Sequence, residues 1–396
     1  MAEWIDCKIA DLGTVIGGAT PSTKRLEYYE NGSIAWITPK DLSTFRGRYI
    51  LRGERNITEI GLKSCSTQLL PKNTVLFSSR APIGYIAIAE NELCTNQGFK
   101  SVIPNENTDP LFLYYLLKYN KNKIESMGSG TTFKEVSGNT MKNILVSVPR
   151  DKKVQEQISS ILGAIDNKIE SNEKINNNLE QQAEALFHSL FVENVNPVWK
   201  EGVLSDLGTV VAGGTPSKTK PEYYSEKGIA SITPKDLSLN KSKFISHGEI
   251  DISELGFSKS SAIKMPTGTV LFSSRAPIGY IAIAANEVTT NQGFKSVVPN
   301  ENIGTAFMYY LLKFLLPTIE GMASGSTFKE ISGAGMKSVP VVIPDNETID
   351  KFNAFCTPIF KQQEVLEVEN SRLVDIRDAL LTKLMAGDLD VSGIEL

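Results

Sequence analysis

Apolar residues at helical spacing dominate two stretches of the chain. From Asp151 to about Val192, Ile158, Ile165, Leu179 and Leu186 stand on a seven-residue ladder interrupted by Asn172. Ile161, Leu162, Ile169, Ile175 and Ala183 widen the stripe beside it. The stretch has neither proline nor strand-like alternation and predicts one long helix. At about 1.5 Å per residue, roughly forty residues span about 60 Å. Near the end of the chain Ile359, Leu366, Leu373 and Leu380 repeat every seventh residue, with Ile376 and Leu384 beside them. Two such stripes predict two helices of one coiled coil. Two amphipathic helices, each packed on its own domain, is the other reading.

The sequence outside the helices is a repeat. Asp11-Leu12-Gly13-Thr14-Val15 returns as Asp206-Leu207-Gly208-Thr209-Val210, and the offset of 195 then holds without a gap. Leu76 to Ala89 recurs letter for letter as Leu271 to Ala284, and Asn96 to Ser101 as Asn291 to Ser296. Ile37 to Ser43 matches Ile232 to Ser238, and Tyr114 to Lys118 matches Tyr309 to Lys313. In the first copy Val75 to Phe77 and Ile83 to Ala89 read as strands around a Pro-Gly turn, Pro110 to Tyr119 as a helix, and Ile144 to Val148 as a closing strand. The predicted class is mixed α/β, with domains at 1–150 and 196–344 and helical segments at 151–195 and 345–396. The second helix can pack on the first only by running back, so the coiled coil is expected to be antiparallel, with an approximate twofold axis across it.

Charge follows the same division. The net charge of −4 conceals +4 on 1–150, −4 on 151–195, +2 on 196–344 and −6 on 345–396. Mildly basic domains on acidic helices permit a nucleic-acid face on each domain, although a charge run is more often a solvated face. No apolar run reaches the length of a membrane span, and Met1 to Ile16 lacks the regions of a signal peptide, so a cytoplasmic location is expected. Cys7, Cys65, Cys94 and Cys356 show no paired spacing and are expected as free thiols; with only His188 and His247 and no CxxC, a zinc site is not expected.

No phosphate loop, GxSxG elbow or metal-ligand cluster is present, and Gly128-Ser129-Gly130 lacks the third glycine of a dinucleotide fingerprint. The repeated polar groups suit a polyanion better. Thr20 and Ser22, with Lys24, recur as Thr215 and Ser217, with Lys218, in a glycine-rich turn. Ser78-Ser79-Arg80 recurs as Ser273-Ser274-Arg275, where a guanidinium forks onto a phosphate or a guanine edge. Asn96-Gln97, with Lys100, recurs as Asn291-Gln292, with Lys295, amides of the kind that bind adenine. Thr131-Thr132, with Lys134, recurs as Ser326-Thr327, with Lys329, and Lys40 recurs as Lys235 within the Thr-Pro-Lys-Asp motif. Each has a local reading as well: an N-cap or ST-turn, a closed turn, or an ion pair inside the domain.

From Thr44 to Arg55 the copies diverge, Phe45 facing Asn240, Arg46 facing Lys241, Arg48 facing Lys243 and Arg52 facing His247. In a DNA-contacting loop, exchange of a planar fork for a point charge alters base preference; in a solvated loop it means nothing.

The pattern Gly-Gly-x-Thr-Pro-Ser, then Ile-Thr-Pro-Lys-Asp-Leu, then LFSSRAPIGYIAIA and Thr/Ser-x-Phe-Lys-Glu, each copy followed by a long helix, resembles the specificity subunit (HsdS) of type I restriction-modification systems. Val148-Pro149 through Gln155-Glu156-Gln157-Ile158 looks like that family's P-x-x-x-E-Q-x-x-I pattern. The second helix departs from it, with Asn353-Ala354-Phe355 in place of Glu-Gln. The resemblance implies a non-catalytic reader. Two target recognition domains each read half of a split double-stranded DNA site, and the paired antiparallel helices space them. Two modification (methyltransferase) subunits dock on the helices, and restriction (motor-nuclease) subunits join them. S-adenosylmethionine, ATP and Mg²⁺ are then expected on partners and no cofactor on this chain. Because duplex strands are antiparallel, two near-identical domains related by a twofold predict a gapped target close to an inverted repeat. The rivals are a coiled-coil interaction scaffold with duplicated ligand-binding domains, and a nuclease or methyltransferase in its own right.

Overall fold

In a computed structural model that describes residues 3–130, 134–275, 277–325, 329–391 and 393, the chain divides into two units. Unit 1 is Met1–Ser171 with Arg372–Leu396, and unit 2 is Asn172–Ser371. Four helices recur below: α1 (Pro110–Tyr119), α2 (Lys152–His188), α3 (Thr305–Phe314) and α4 (Asn346–Met385). Both long helices are continuous across the unit boundaries, so each unit holds a mixed α/β body and a length of each.

Unit 1 is built on a five-stranded sheet, β1 (Gly13–Gly17), β2 (Tyr49–Ile50), β3 (Val75–Ser79), β4 (Ile83–Ala89) and β5 (Lys100–Pro104), in the order β1-β5-β3-β4-β2. The pairs are antiparallel except β2 with β4. The run Val75-Leu76-Phe77 is apolar throughout because both faces are covered. Val75 and Phe77 enter a core with Phe112, Tyr115 and Leu116 of α1, while Leu76 points the other way, to Ile37, Leu42 and Phe99. On that second side the strand Ile34–Ile37 lies between Arg55–Ile57 and Cys94–Thr95. The Thr-Pro-Lys-Asp motif is a capping box: Thr38 accepts from Asp41 N, Asp41 accepts from Thr38 N, and Pro39 opens the short helix Pro39–Thr44.

The long helices join the same core. Val154, Ile158 and Leu162 of α2 and Leu381, Leu384 and Met385 of α4 pack with α1. Val154 and Ile158 face Leu389 and Val391, while Asp166 further along α2 meets Arg377 further back on α4. The two lengths run antiparallel, packed on each other and on the domain body, so both sequence readings describe part of the arrangement. Ile376, expected beside the stripe, is instead half exposed.

Unit 2 repeats the sheet with β6 (Gly208–Ala212), β7 (Phe244–Ile245), β8 (Val270–Ser274), β9 (Ile278–Ala284) and β10 (Lys295–Pro299), in the order β6-β10-β8-β9-β7. Its core holds Phe272, Phe307 and Tyr310 with Ala183 and Phe187 of α2 and Phe352 and Cys356 of α4. Asn172 contacts Asn370 and Asn176 contacts Gln363, so these lengths too run antiparallel, with Ile175 turned to solvent.

The departure noted at Asn353 has a structural reason. In unit 1 Asp109 caps α1, accepting from Phe112 N at 2.7 Å. In unit 2 the same position is Gly304, with φ +73°, and no side chain to cap α3. Asn353 of α4 replaces it, accepting from Phe307 N at 3.1 Å and donating to Ile303 O at 2.8 Å. A Cβ on residue 304 would lie 2.5 Å from Asn353 Nδ2, so the two residues are matched to each other.

Candidate nucleic-acid interface

The candidate residues sit on turns that the sheet brings together. Between Phe77 and Ser79 the β3–β4 register shifts, placing Ser78 in a bulge. Its hydroxyl donates to Pro82 O at 2.8 Å and accepts from Tyr85 N at 2.7 Å, closing the hairpin from inside. Ser79 donates to Gly98 O at 3.2 Å. Ser273 and Ser274 repeat both arrangements in unit 2. All four serines, expected as DNA contacts, are buried, and their hydroxyls are bonded within the hairpin and its neighbouring turn.

The hairpin leads to Arg80, whose Nη1 lies 3.5 Å from Glu135; Lys100 Nζ lies 3.2 Å from the other oxygen of the same carboxylate. In unit 2 Arg275 and Lys295 share Glu330 at 3.4 and 3.5 Å. The guanidiniums are 36 % and 40 % exposed, the ammoniums only 15 % and 11 %. Arg80 and Arg275 thus present a donor fork at the surface, while Lys100 and Lys295 act from below, holding the carboxylate. Glu135 and Glu330 were not among the expected site residues, although their repetition after Phe-Lys was the available signal. Lys134 and Lys329 next to them are exposed. Thr131, Thr132, Ser326 and Thr327 lie outside the described residues.

A second junction ties two of the predicted motifs together. Thr20 donates its hydroxyl to Gln97 Oε1, and Thr215 does the same to Gln292 Oε1. The threonine-proline-serine turn and the Asn-Gln-Gly turn therefore form one surface in each unit. Asn96 Oδ1 accepts from Gly98 N at 2.8 Å and Asn291 Oδ1 from Gly293 N at 2.9 Å, so the asparagines close their turns and the glutamines are the amides tied to the outer loop. Ser22, Lys24, Ser217 and Lys218 are exposed on that loop. Lys40 pairs with Glu54 at 2.8 Å and Lys235 with Glu249 at 2.5 Å, all four exposed.

The divergent loop splits in two. Arg46 is exposed, as is Lys241, whose Nζ sits 4.7 Å from the Tyr280 ring centroid. Arg48 and Lys243, expected as DNA contacts, are buried. Arg48 donates to Glu170 at 2.9 and 3.2 Å, to Asn167, and to Gly163 O at 3.4 Å, all on α2. Lys243 pairs with Glu180 of α2, donates to Gln363 of α4 at 2.7 Å and lies 4.3 Å from the Phe360 ring centroid. Arg48 fastens its domain body to α2, and Lys243 fastens its own to both long helices. The Arg-to-Lys exchange here goes with a change of carboxylate partner, Arg48 forking onto Glu170 and Lys243 pairing with Glu180.

Each unit also buries a tyrosine–carboxylate contact beside the helices. Tyr115 donates to Asp166 at 2.5 Å, and Asp166 accepts from Arg377 at 2.9 Å. Tyr310 donates to Glu180 at 2.8 Å, where Lys313 also donates at 2.8 Å. Burial raises both phenols above the ordinary tyrosine range and the adjacent carboxylates reinforce it, so they remain donors. Glu180 is pulled upward by burial but further downward by Lys243 and Lys313, to about 2. These groups lie inside the fold; the surface carries hydroxyls, amides and cations of the kind that bind phosphates and base edges, with Glu54, Glu135, Glu249 and Glu330 paired to Lys40, Arg80, Lys235 and Arg275. Among the described residues no helix is long and apolar enough to cross a membrane.

Comparison with known proteins agrees over nearly the whole chain. The model of the type I restriction modification DNA specificity domain matches residues 1–181 and again 197–368. The chain is 34 % identical to the type I restriction enzyme MjaIX specificity subunit of Methanocaldococcus jannaschii, over 99 % of this chain and 95 % of that one. It is 23 % identical to the HindI specificity subunit of Haemophilus influenzae, over 98 % and 100 %. It shares its fold with the crystal structure of a type I restriction-modification system S subunit from M. genitalium, with a TM-score of 0.63, 19 % identity and coverage of 97 % and 96 %.

Proposed function

Because the chain belongs to the family of type I restriction-modification specificity subunits, we propose that it binds a gapped double-stranded DNA target, each domain body reading one half. The observation that carries this reading is the repetition of one polar cluster at one offset. Thr20 with Gln97, Arg80 and Lys134 in unit 1 has a counterpart in Thr215 with Gln292, Arg275 and Lys329 in unit 2, and each threonine turn carries an exposed lysine, Lys24 or Lys218, one position apart between the copies. Exposed lysines supply phosphate contacts and salt-dependent affinity, and the arginine forks and glutamine amides read base edges. Like clusters read like sequences, and opposite strands of a duplex present them inverted, so the target is a near inverted repeat with its gap set by the helices.

The chain itself is non-catalytic in this reading, and base methylation belongs to modification subunits docked on the helices, with restriction subunits joining them. Ile175, Val365 and Val368 of unit 2, 43–50 % exposed on the long helices, are apolar side chains suited to such docking. Methylome sequencing of cells carrying the chain with its methyltransferase subunit tests the proposal. The expected result is one methylated gapped motif with related, inverted halves; two unrelated halves contradict it. A coiled-coil scaffold with other ligands predicts no motif at all.

A further inference from the structure

Trp36 and Ser231 occupy the same place in the repeat, and the space around them differs. In unit 1 the Trp36 indole is buried, donates through Nε1 to Ala19 O at 3.1 Å, and packs edge-on to Tyr29 at 6.0 Å between centroids. Its strand pairs on both sides, Trp36 with Arg55 and with Cys94. In unit 2 Ser231 pairs with Thr289 and not with Ile250; the pairing on that side is cut back to a single bridge between Ile229 and Ile252, and Asp251–Ile252 also pairs with Tyr224–Ser225. Ile250, the counterpart of Arg55, is 55 % exposed. The loop at Ser261 closes on Gly214, the counterpart of Ala19, so tightly that a Cβ there would meet Ser261 C at 2.4 Å. Around Ser231, unit 2 has a cavity of about 400 Å³ whose lining includes Thr215, Lys218, Tyr224, Ile250 and Asn291, with the Lys235–Glu249 pair on its wall; Gly214 and Tyr224 in that lining are the counterparts of Ala19 and Tyr29, which hold the indole in unit 1. That volume falls within the range of small-ligand sites, about 300–1,000 Å³.

The cavity opens beside the Thr215–Gln292 junction, within the surface assigned above to DNA, and the inference rests on that assignment. We infer that the cavity around Ser231 takes a base edge of the second half-site that the Trp36 indole excludes from the first domain. The walls suit such a group. Tyr224 and Ile250 give apolar contact of the kind a ring or a thymine methyl group seeks; the Ser231 hydroxyl acts as donor or acceptor toward a base edge, and the Thr215 hydroxyl, which donates to Gln292, is left to accept. Exposed Lys218 on the rim holds the adjoining phosphate. Ser231 is a specificity-determining residue, and the target departs from a perfect inverted repeat at the base it meets.

The test is selection from a gapped duplex library by the full chain with its methyltransferase subunit, comparing wild type with Ser231→Trp, Ser231→Val and Trp36→Ser. The expected wild-type target has inverted halves differing at one position or two adjacent ones. Ser231→Trp shifts the preference there by at least about tenfold, in one half only, leaving the gap and the other half unchanged. Trp36→Ser relaxes the matching position of the other half. Identical wild-type halves overturn the inference while leaving the DNA reading intact, as does an unchanged preference in a Ser231 variant that melts like wild type. Should Ser231→Trp fail to fold, Ser231→Val, which fills only the mouth, decides by the same criterion. Absence of any enrichment by wild type overturns the DNA reading and the inference with it.

Discussion

Asn172, wholly buried on the helices of unit 2, donates through Nδ2 to Asn370 Oδ1 at 2.8 Å and to Glu369 Oε2 at 2.7 Å. This is the residue that interrupts the apolar ladder of the first long helix. A lone amide among apolar ladder positions is stable only where a polar partner arrives opposite it, so it selects one register of the antiparallel pair over its neighbours. Replacing Asn172 by Leu removes the donor to both partners and is expected to cost about 1–3 kcal/mol. Adding Asn370→Leu recovers part of that loss, and a double-mutant cycle in urea gives a coupling of at least about 0.5 kcal/mol. Strictly additive losses contradict the register role.

Arg48 and Lys243 are expected to govern stability rather than DNA affinity. Arg48→Met removes the partner of Glu170 at a site where the guanidinium is 5 % exposed, and costs about 3 kcal/mol of unfolding free energy. The slope of log affinity against log salt for duplex binding stays at its wild-type value. Lys24→Ala and Lys218→Ala behave in the opposite way, each lowering that slope by about 0.9 while leaving the melting temperature in place. A lower slope in a stable Arg48→Met chain returns Arg48 to the DNA surface.

Glu180 sets an acid limit on unit 2. Lys243 and Lys313 hold its carboxyl at about 2 in the folded chain against the burial that raises it. A depressed folded value stabilises above the ordinary carboxylate range, near 4.5, and that stability is lost as pH falls from there through about 2. Glu367, which accepts from Lys243 N and Phe244 N, is raised by burial and acts in the opposite sense, gaining stability as pH falls toward its unfolded value. Glu180→Gln is therefore expected to flatten the loss of stability between about pH 4.5 and 2 in thermal melts, and to lower stability at pH 7. An unchanged acid slope contradicts the assignment.

The parts of the fold written in periodicity were legible before any coordinates. The heptad ladder marked α2, the repeat at a single offset marked two like bodies, and the apolar runs marked β3 and β4. Side-chain destination was less legible. Arg48 looks like any surface arginine in a divergent loop, because the residues that claim it, Gly163, Asn167 and Glu170, lie more than a hundred positions away. Ser78 looks like a phosphate contact until the bulge turns its hydroxyl onto Pro82 and Tyr85. Thr20 and Gln97 were both candidates, yet their contact is a product of folding that no spacing displays. Ile175 and Ile376 fit the stripe by spacing and still face solvent, since a stripe drawn at 3.6 residues per turn does not say how wide the partner is.

The central claim is that two like domains read two inverted halves of one gapped duplex. Electrophoretic mobility selection from a gapped-duplex library, using the chain with its methyltransferase subunit and sequencing the retained fraction, tests it most directly. The account predicts enrichment of two inverted half-sites at one fixed gap, alike except where Ser231 replaces Trp36. Enrichment of two unrelated half-sites, or a folded complex that retains no sequence in preference to another, would contradict it.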